Sequence, residues 1–262
     1  MFRSLYTAAS GMTAQQTNLD NVANNLSNAN TAGFRKRRVQ FQDLVYQNMV
    51  TPGAAATQQT VSAGLQIGLG TRTAATEILQ SQGDFQQTGN SLDLAIQGLG
   101  YFQVLTPNGQ TAYTRAGSFH LDSQGNIVTS DGDALQPAIT IPADATAITI
   151  GADGTVSVTL PSQTQSQQIG QIQLATFPNP GGLNSIGANL LLPTSSSGEA
   201  IVGNPGGSEG LGTLVQGSLE QSNVNTVEEF IQMILAQRSY EANSQVAKAA
   251  DQMFQEVNQL GK

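Results

Sequence analysis

Apolar residues recur every seven positions at both ends of the chain and alternate with Thr and Ser in between. Near the N-terminus Leu5, Met12, Leu19 and Leu26 form one series, and Ala8, Gln15 and Val22 fall between them. That is a heptad stripe more than three repeats long, narrow and flanked by Thr, Ser, Gln and Asn. The run "NANTAG" predicts its end, with Gly33 available for a left-handed cap. At the other end Thr226 and Glu229 have capping-box spacing, and Glu228 and Glu229 put negative charge in the first turn. No Gly or Pro interrupts the chain from there to Leu260. Leu235, Ala242 and Ala249 make one series and Val246, Met253 and Leu260 the other, widened by Ile231, Ile234 and Val257. At 1.5 Å per residue this helix reaches roughly 50 Å.

The middle predicts short strands joined by turns. "YFQVL" (101–105) precedes Pro107-Asn108-Gly109, and "AYTRAGSFHL" leads through "DSQGN" to "IVTS" and "DGD". "AITI" (138–141), "AITI" (147–150), "TVSVTL" (155–160) and "IGQIQLATF" (169–177) continue the pattern around Asp153-Gly154. "QGDFQQTGN" (82–90) echoes "QGSLEQSNV" (216–224), as two paired strands of one domain would. The fold expected is α+β: N- and C-terminal helices paired as a coiled coil, with β-rich domains inserted. The expected domains are 1–33 with 224–262 (helical), 34–95 with 184–223 (connecting, β-rich), and 96–183 (all-β, outermost).

A helix with so thin a stripe and so many Asn has poor propensity and is marginal alone. Fixing its backbone costs about 1–2 kcal/mol per residue. Pairing one terminal helix with the other buries a seam and leaves the Asn, Gln, Ala and Ser faces over. Two readings stay open: these faces meet other subunits, or the ends form an exposed two-helix coiled coil on a β domain.

Composition narrows the function. The 262 residues carry formal charge −8, with only 11% charged and 5% aromatic residues and no Trp. No Cys is present, which excludes disulfides, thiolate nucleophiles and Cys-bound metals. "MFRSLYTAASGM" lacks the apolar core of a Sec signal peptide, so an exported chain needs another route. Four of the ten Lys and Arg sit at 35–38, and Arg115 alone lies between Asp93 and Glu220. A single basic run in an acidic chain does not make a nucleic-acid surface. It fits a solvated turn or, slightly better, a salt bridge to an acidic neighbouring subunit.

Enzyme chemistry finds no support. His120, the one His, lies in strand-like "GSFHL", where a partly buried structural role is expected. There is no G-x-S-x-G elbow, Asp131 and Asp133 flank a turn glycine, and "GLQIGLG" lacks dinucleotide-loop spacing. Asp122, Asn126, Asp131 and Asp133 do not follow the EF-hand pattern. No catalytic residue, metal site or cofactor is expected.

The N-terminal segment through "VYQ" strongly resembles that of the bacterial flagellar rod and hook proteins. The carrying core is A-N-N-L-x-N-x-x-T-x-G-F, here Ala23, Asn24, Asn25, Leu26, Asn28, Thr31, Gly33 and Phe34. "SLDLAIQGLGYFQV" (91–104), "AYTRAGSFHLDSQGNIVTSDG" (112–132) and 217–253 resemble the family's middle and C-terminal motifs. Segment 46–70 resembles a stretch of the distal rod members that proximal rod subunits lack; hook proteins are usually longer.

The resemblance implies a non-catalytic subunit exported unfolded by the flagellar type III apparatus. It implies helical polymerisation into a hollow drive shaft across the periplasm to the outer membrane. The terminal helices, with the seam residues Leu5 to Leu26 and Ile231 to Leu260 named above, would form its inner tube. The implied partners are further copies of the chain, proximal rod proteins, hook protein, and the peptidoglycan-layer and outer-membrane rings. The alternatives are a proximal rod or hook subunit and, in a different class, an adhesin-like surface protein.

Overall fold

The computed structural model describes all residues except 1, 51–54, 57–58, 61–63, 162–164, 208–209 and 261–262. The chain is α+β, with a helix at each end and a β-rich middle. It forms two compact units. The first comprises 1–27, 37–77 and 225–262; the second comprises 28–36 and 78–224. The connecting segment expected at 34–95 thus divides between them, at 36/37 and 77/78.

The first unit holds α1 (Phe2–Ser27) and α2 (Thr226–Leu260), packed against each other. Strand Arg37–Asp43 pairs with Thr71–Ile78, and Tyr46–Val50 pairs antiparallel with Leu65–Gly68. A shorter ladder joins Ala55–Ala56 to Gln59–Thr60. The NANTAG run does end α1, but Gly33 is not its cap, and the cap of α2 also differs from the sequence expectation. α1 stops at Ser27, six positions before Gly33, because Asn28 turns the chain: its carbonyl accepts the Thr31 N–H at 3.1 Å and its Oδ1 the Thr31 hydroxyl at 3.2 Å. The cap of α2 is Asn225, whose Oδ1 accepts the Val227 N–H at 3.0 Å. Glu229 is buried, and its Oε2 accepts the Asn25 amide at 3.1 Å.

The face of α1 against α2 is built from small and polar residues. Ala8, Val22 and Asn25 are buried on α1, and Glu229, Ala236 and Ala250 on α2. Glu229, Ala236 and Ala250 keep heptad spacing, as do Ala8 and Val22; Ala14 is buried on α1 as well. A Cβ on Gly11 would lie 2.9 Å from Asn243 Nδ2, so the Asn243 side chain packs into the space that the glycine leaves on α1.

The second unit is organised by a nine-stranded sheet. Its centre is Tyr101–Leu105, joined antiparallel to Thr111–Thr114 through the expected turn, where Gly109 takes φ 76° and donates to the Thr106 carbonyl at 2.9 Å. On its other side Tyr101–Leu105 pairs with Ala134–Gln136 and with Leu174–Thr176. A three-stranded sheet, Ala147–Ile150, Thr155–Thr159 and Gln167–Gln171, packs its apolar face into the same core. Phe102, Val104, Phe119, Leu135, Val156 and Leu174 are wholly buried there, with Phe102 edge-on to Phe119 at 5.1 Å. A satellite cluster of Tyr101, Tyr113, Ala175, Phe177 and Leu183 covers part of the sheet's second face.

The echoed segments do pair: Phe85–Gln87 runs antiparallel to Ser218–Glu220. Segment 138–141 is not a strand. Ile139 and Ile141 are buried, but Thr140 makes an isolated bridge to Asn126 and nothing more extends it. Segment 169–177 is broken at Ile172, whose N–H turns to the Gly154 carbonyl at 2.8 Å. His120 is exposed, 3.4 Å from the Ser130 hydroxyl, because its two-residue strand points it off the sheet.

Candidate functional site

α2 turns two different surfaces outward and inward. Its inward surface is the alanine-lined one just described. Its outward surface is aliphatic: Val227 is 65% exposed, Ile231 52%, Ile234 56%, Leu235 55% and Val246 50%. In a lone soluble chain, so long a row of exposed large apolar side chains marks an interaction face. The seam residues read from the sequence separate accordingly. On α1 Val22 is buried, while Leu5, Met12, Leu19 and Leu26 are half-buried beside the contact with α2. On α2 Ile231, Leu235, Ala242, Val246, Ala249 and Met253 are exposed. The Leu260 side chain lies outside what the structure describes.

On α1 Gly11 and Ala8 lie along the facing row, and Asn243 of α2 sits against Gly11. The leucine-period signal is real, but its stronger series belongs to a different surface. The small-residue heptad through Ala236, Asn243 and Ala250 was the signal available for the inner contact, and periodicity of large apolar residues outweighs it in any reading.

The outward residues of α1 are mostly small and polar, and several hydroxyls are already satisfied. Thr13 donates to the Ala9 carbonyl at 3.1 Å, Thr17 to Thr13 at 3.1 Å and Ser27 to Ala23 at 2.9 Å. Hydroxyls turned back on their own helix leave no orphan donor when that face is dried.

The A-N-N-L-x-N-x-x-T-x-G-F core serves both units in turn. Asn25, 1% exposed, donates to the Arg37 carbonyl at 2.9 Å and to Glu229 Oε2 at 3.1 Å, and its Oδ1 accepts the Arg37 N–H at 3.0 Å. Asn21 adds a bond to the same carbonyl at 2.8 Å. One buried amide therefore fixes the end of α1, the start of strand Arg37–Asp43 and the first turn of α2. Ala23 and Asn24 are exposed. Gly33 belongs to the second unit. Its φ is 70°, its N–H donates to the Glu220 carbonyl at 2.8 Å, and a Cβ there would sit 2.5 Å from the Ala116 nitrogen. Both the left-handed backbone and the closeness to Arg115-Ala116 demand glycine.

Beyond Gly33 the basic run is consumed inside the chain. Arg35 Nη2 lies 2.7 Å from Glu220 Oε1, and Arg115 Nε lies 2.6 Å from Glu220 Oε2. Their side chains are 10%, 4% and 1% exposed for Arg35, Arg115 and Glu220. Arg115 further donates to the carbonyls of Ile96 at 2.8 Å and Gly98 at 2.6 Å, and to that of Gly100. Arg35 donates to the Ser81 carbonyl. Burial pulls the Arg35 guanidinium below its ordinary pKa, with Glu220 opposing that effect, and burial raises the phenol of nearby Tyr101. Arg38 makes an exposed pair with Glu77 at 3.0 Å. The expected bridge from this run to a neighbouring subunit is corrected for Arg35 and Arg38, whose partners are intrachain carboxylates. Asn223 completes the joint: its Oδ1 accepts the Lys36 N–H at 2.6 Å, and its amide donates to Leu79 and Ser81 carbonyls at 3.1 and 2.8 Å.

Three family models match the chain, together spanning both ends and the centre. Residues 5–35 match the flagella basal body rod protein model, 95–158 the flagellar hook protein FlgE/F/G D1 domain, and 215–260 the flagellar basal body rod FlgEFG protein C-terminal model. The flagellar basal-body rod protein FlgG of Caulobacter vibrioides is 49% identical over 98% of this chain and 99% of its own length. That of Borreliella burgdorferi is 48% identical over 99% of each chain, and that of Bacillus subtilis 43% over 99% of each.

The chain belongs to the flagellar basal-body rod protein family. As a rod protein it is a structural subunit of the distal rod and not an enzyme. Rod proteins self-assemble and associate with other rod and hook proteins in the flagellar basal body. The features above are those of a building block: two packed helices with outward faces of unlike chemistry, and a signature whose Asn25 and Gly33 are each held by hydrogen bonds within their own unit.

Proposed function

We propose that this subunit builds the distal rod as a helical homopolymer in which the outward apolar stripe of α2 packs on terminal helices of adjoining copies. The single observation that carries this is the stripe itself, from Val227 to Val246, exposed on a helix whose other face is already occupied. On α1 the hydroxyls of Thr13, Thr17 and Ser27 are already bonded to their own helix, which supports close packing of such a stripe beside them. Contacts between unlike faces do not close on themselves and extend as a helix. In this reading the terminal helices form the inner tube as a coiled coil, with Leu5, Met12, Leu19, Leu26, Ile231, Leu235, Val246, Met253 and Leu260 at the contacts between subunits.

The tube leaves a channel for exported subunits, and the β-rich parts form the outer layers. The rod spans the periplasm, starts on proximal rod proteins, passes the peptidoglycan-layer and outer-membrane rings and ends on the hook protein. Subunits reach it unfolded through the flagellar type III apparatus. Electron microscopy of isolated basal bodies is the test: density for α2 should show its stripe sealed against neighbouring helices around a central channel. A stripe facing water in the assembled rod would overturn the reading.

Segment 46–70 is proposed to stiffen the rod by bridging neighbouring subunits. The described part, Tyr46–Val50 and Leu65–Gly68, exposes Tyr46, Met49, Leu65 and Ile67, which supports a contact role. Deleting 46–63 is expected to give assembled rods that bend. Rods that stay straight in micrographs would refute the stiffening role and leave assembly untouched.

A further inference from the structure

The face by which α2 meets α1 continues past the start of α1. Asn25 bonds Glu229 and Gly11 meets Asn243, two heptads apart along each helix and in opposite directions. The two helices are therefore antiparallel with a fixed register. Heptad by heptad, Asn25, Asn18, Gly11 and Ser4 stand level with Glu229, Ala236, Asn243 and Ala250. Ala236 is 2% exposed and Ala250 1%. α1 starts at Phe2, within a heptad of Ser4, whereas α2 runs on to Leu260.

The next residue of that row on α2 is Val257, and it is 52% exposed. Ala250 and Val257 hold the same heptad position. Their difference in exposure follows from α1, which lies opposite the first and has run out opposite the second. Met253, one turn back on the same side, is 45% exposed. The two side chains form an apolar step at the end of a face that is covered along the rest of its length. A row that keeps its spacing through Glu229, Ala236, Asn243, Ala250 and Val257 belongs to a seam longer than the partner inside the chain.

Continuity of this seam selects its occupant. Inside the chain the face is covered by an α1 helix, through a row of small and polar residues. Self-assembly brings further copies of α1 alongside. The outward side of α1 offers a surface of the same kind, on which Ala9, Thr13, Ala23 and Ser27 are exposed. Thr13 and Ser27 donate to the carbonyls of Ala9 and Ala23 at 3.1 and 2.9 Å, which supports close packing beside them. Small residues four apart on one helix leave room for an aliphatic side chain of another.

We infer that Val257 and Met253, at the overhanging end of one subunit's α2, pack on the α1 helix of a second copy, so that the inner face of α2 is completed across the subunit boundary. The apolar step is the anchor, and drying it supplies the attraction. Unlike surfaces meet, so the contact does not close on itself and extends from copy to copy. The inference rests on the proposed packing of terminal helices between copies. It adds a second surface to the outward stripe: the far end of the row that faces α1.

A photoreactive side chain reads the contact directly. Rods isolated from cells making Val257→p-benzoylphenylalanine should, on irradiation, give covalent dimers whose joined peptide maps to residues 2–27 of the second chain. Rods that form but give no dimers, or dimers joined at α2 or in the β-rich unit, would overturn the inference. The same reporter at Leu235 keeps the two readings apart. Dimers from Leu235 but not from Val257 remove this contact alone, whereas dimers from neither remove the packing of terminal helices between copies as well. Should the bulky reporter prevent assembly, Val257→Asp decides. Its purified monomer should melt within a few degrees of the parent, because the side chain is exposed there. Rod yield should fall at least about tenfold, since a carboxylate enters an apolar contact. Unchanged rod yield would overturn the inference.

Discussion

Leu235→Asp should abolish rod assembly and leave the monomer folded. Leu235 is 55% exposed on the outward face of α2, so the lone chain loses little by the change. In the polymer the same position is proposed to be dry. Losing a buried leucine forfeits about 1.5–3 kcal/mol, and a carboxylate placed in an apolar contact adds several more. Every 1.4 kcal/mol is tenfold in affinity, so each contact weakens by roughly a thousandfold or more. Every subunit repeats the defect, and no filament should survive.

The contrasting substitution is Ala236→Asp, one residue away. Ala236 is 2% exposed in the face against α1, and a carboxylate there attacks the helix pair inside the monomer. The measurements are motility, micrographs of basal bodies, and the thermal melt of purified protein. Normal rods from Leu235→Asp would remove the stripe from the assembly surface. A collapsed melt from the same variant would show that Leu235 stabilises the chain itself.

Glu220→Gln should be the most destabilising single change in the second unit. Glu220 is the only carboxylate in ion-pair contact with Arg35 and Arg115 among the described residues, and all three side chains are buried. Removing one charge from a buried network leaves the others uncompensated, at a cost of about 3–5 kcal/mol. For a domain of this size that lowers the melting temperature by roughly 10 °C. Glutamine keeps the shape, so the loss reports charge and not volume. Glu77→Gln provides the control: its partner Arg38 is 60% exposed, and solvent already screens that pair. Equal melts for the two variants would show that the buried cluster is no keystone.

The same cluster shows what reading along the chain reaches. The basic run was visible, and so was the isolation of Arg115 in a stretch free of other cations. Nothing in either segment points to Glu220. It is brought to them by the pairing of Phe85–Gln87 with Ser218–Glu220 and by the left-handed turn at Gly33. The echo of 82–90 in 216–224 foreshadowed that ladder, because paired strands of similar sequence repeat the same alternation. The charge network behind it depends on three dimensions.

Periodicity by itself determined that both ends are helices, that the middle is built of short strands, and which turns join them, since local backbone preference and the 3.6- and 2-residue repeats are properties of the chain. It also singled out the leucine-spaced rows and the rod signature. Only the tertiary structure decided which row faces which partner. Two heptad series share α2, one through Leu235, Ala242 and Ala249 and one through Glu229, Ala236, Asn243 and Ala250, and the repeat is identical for both. Which of them is buried is decided by the packing of α1, a helix more than two hundred residues away in sequence.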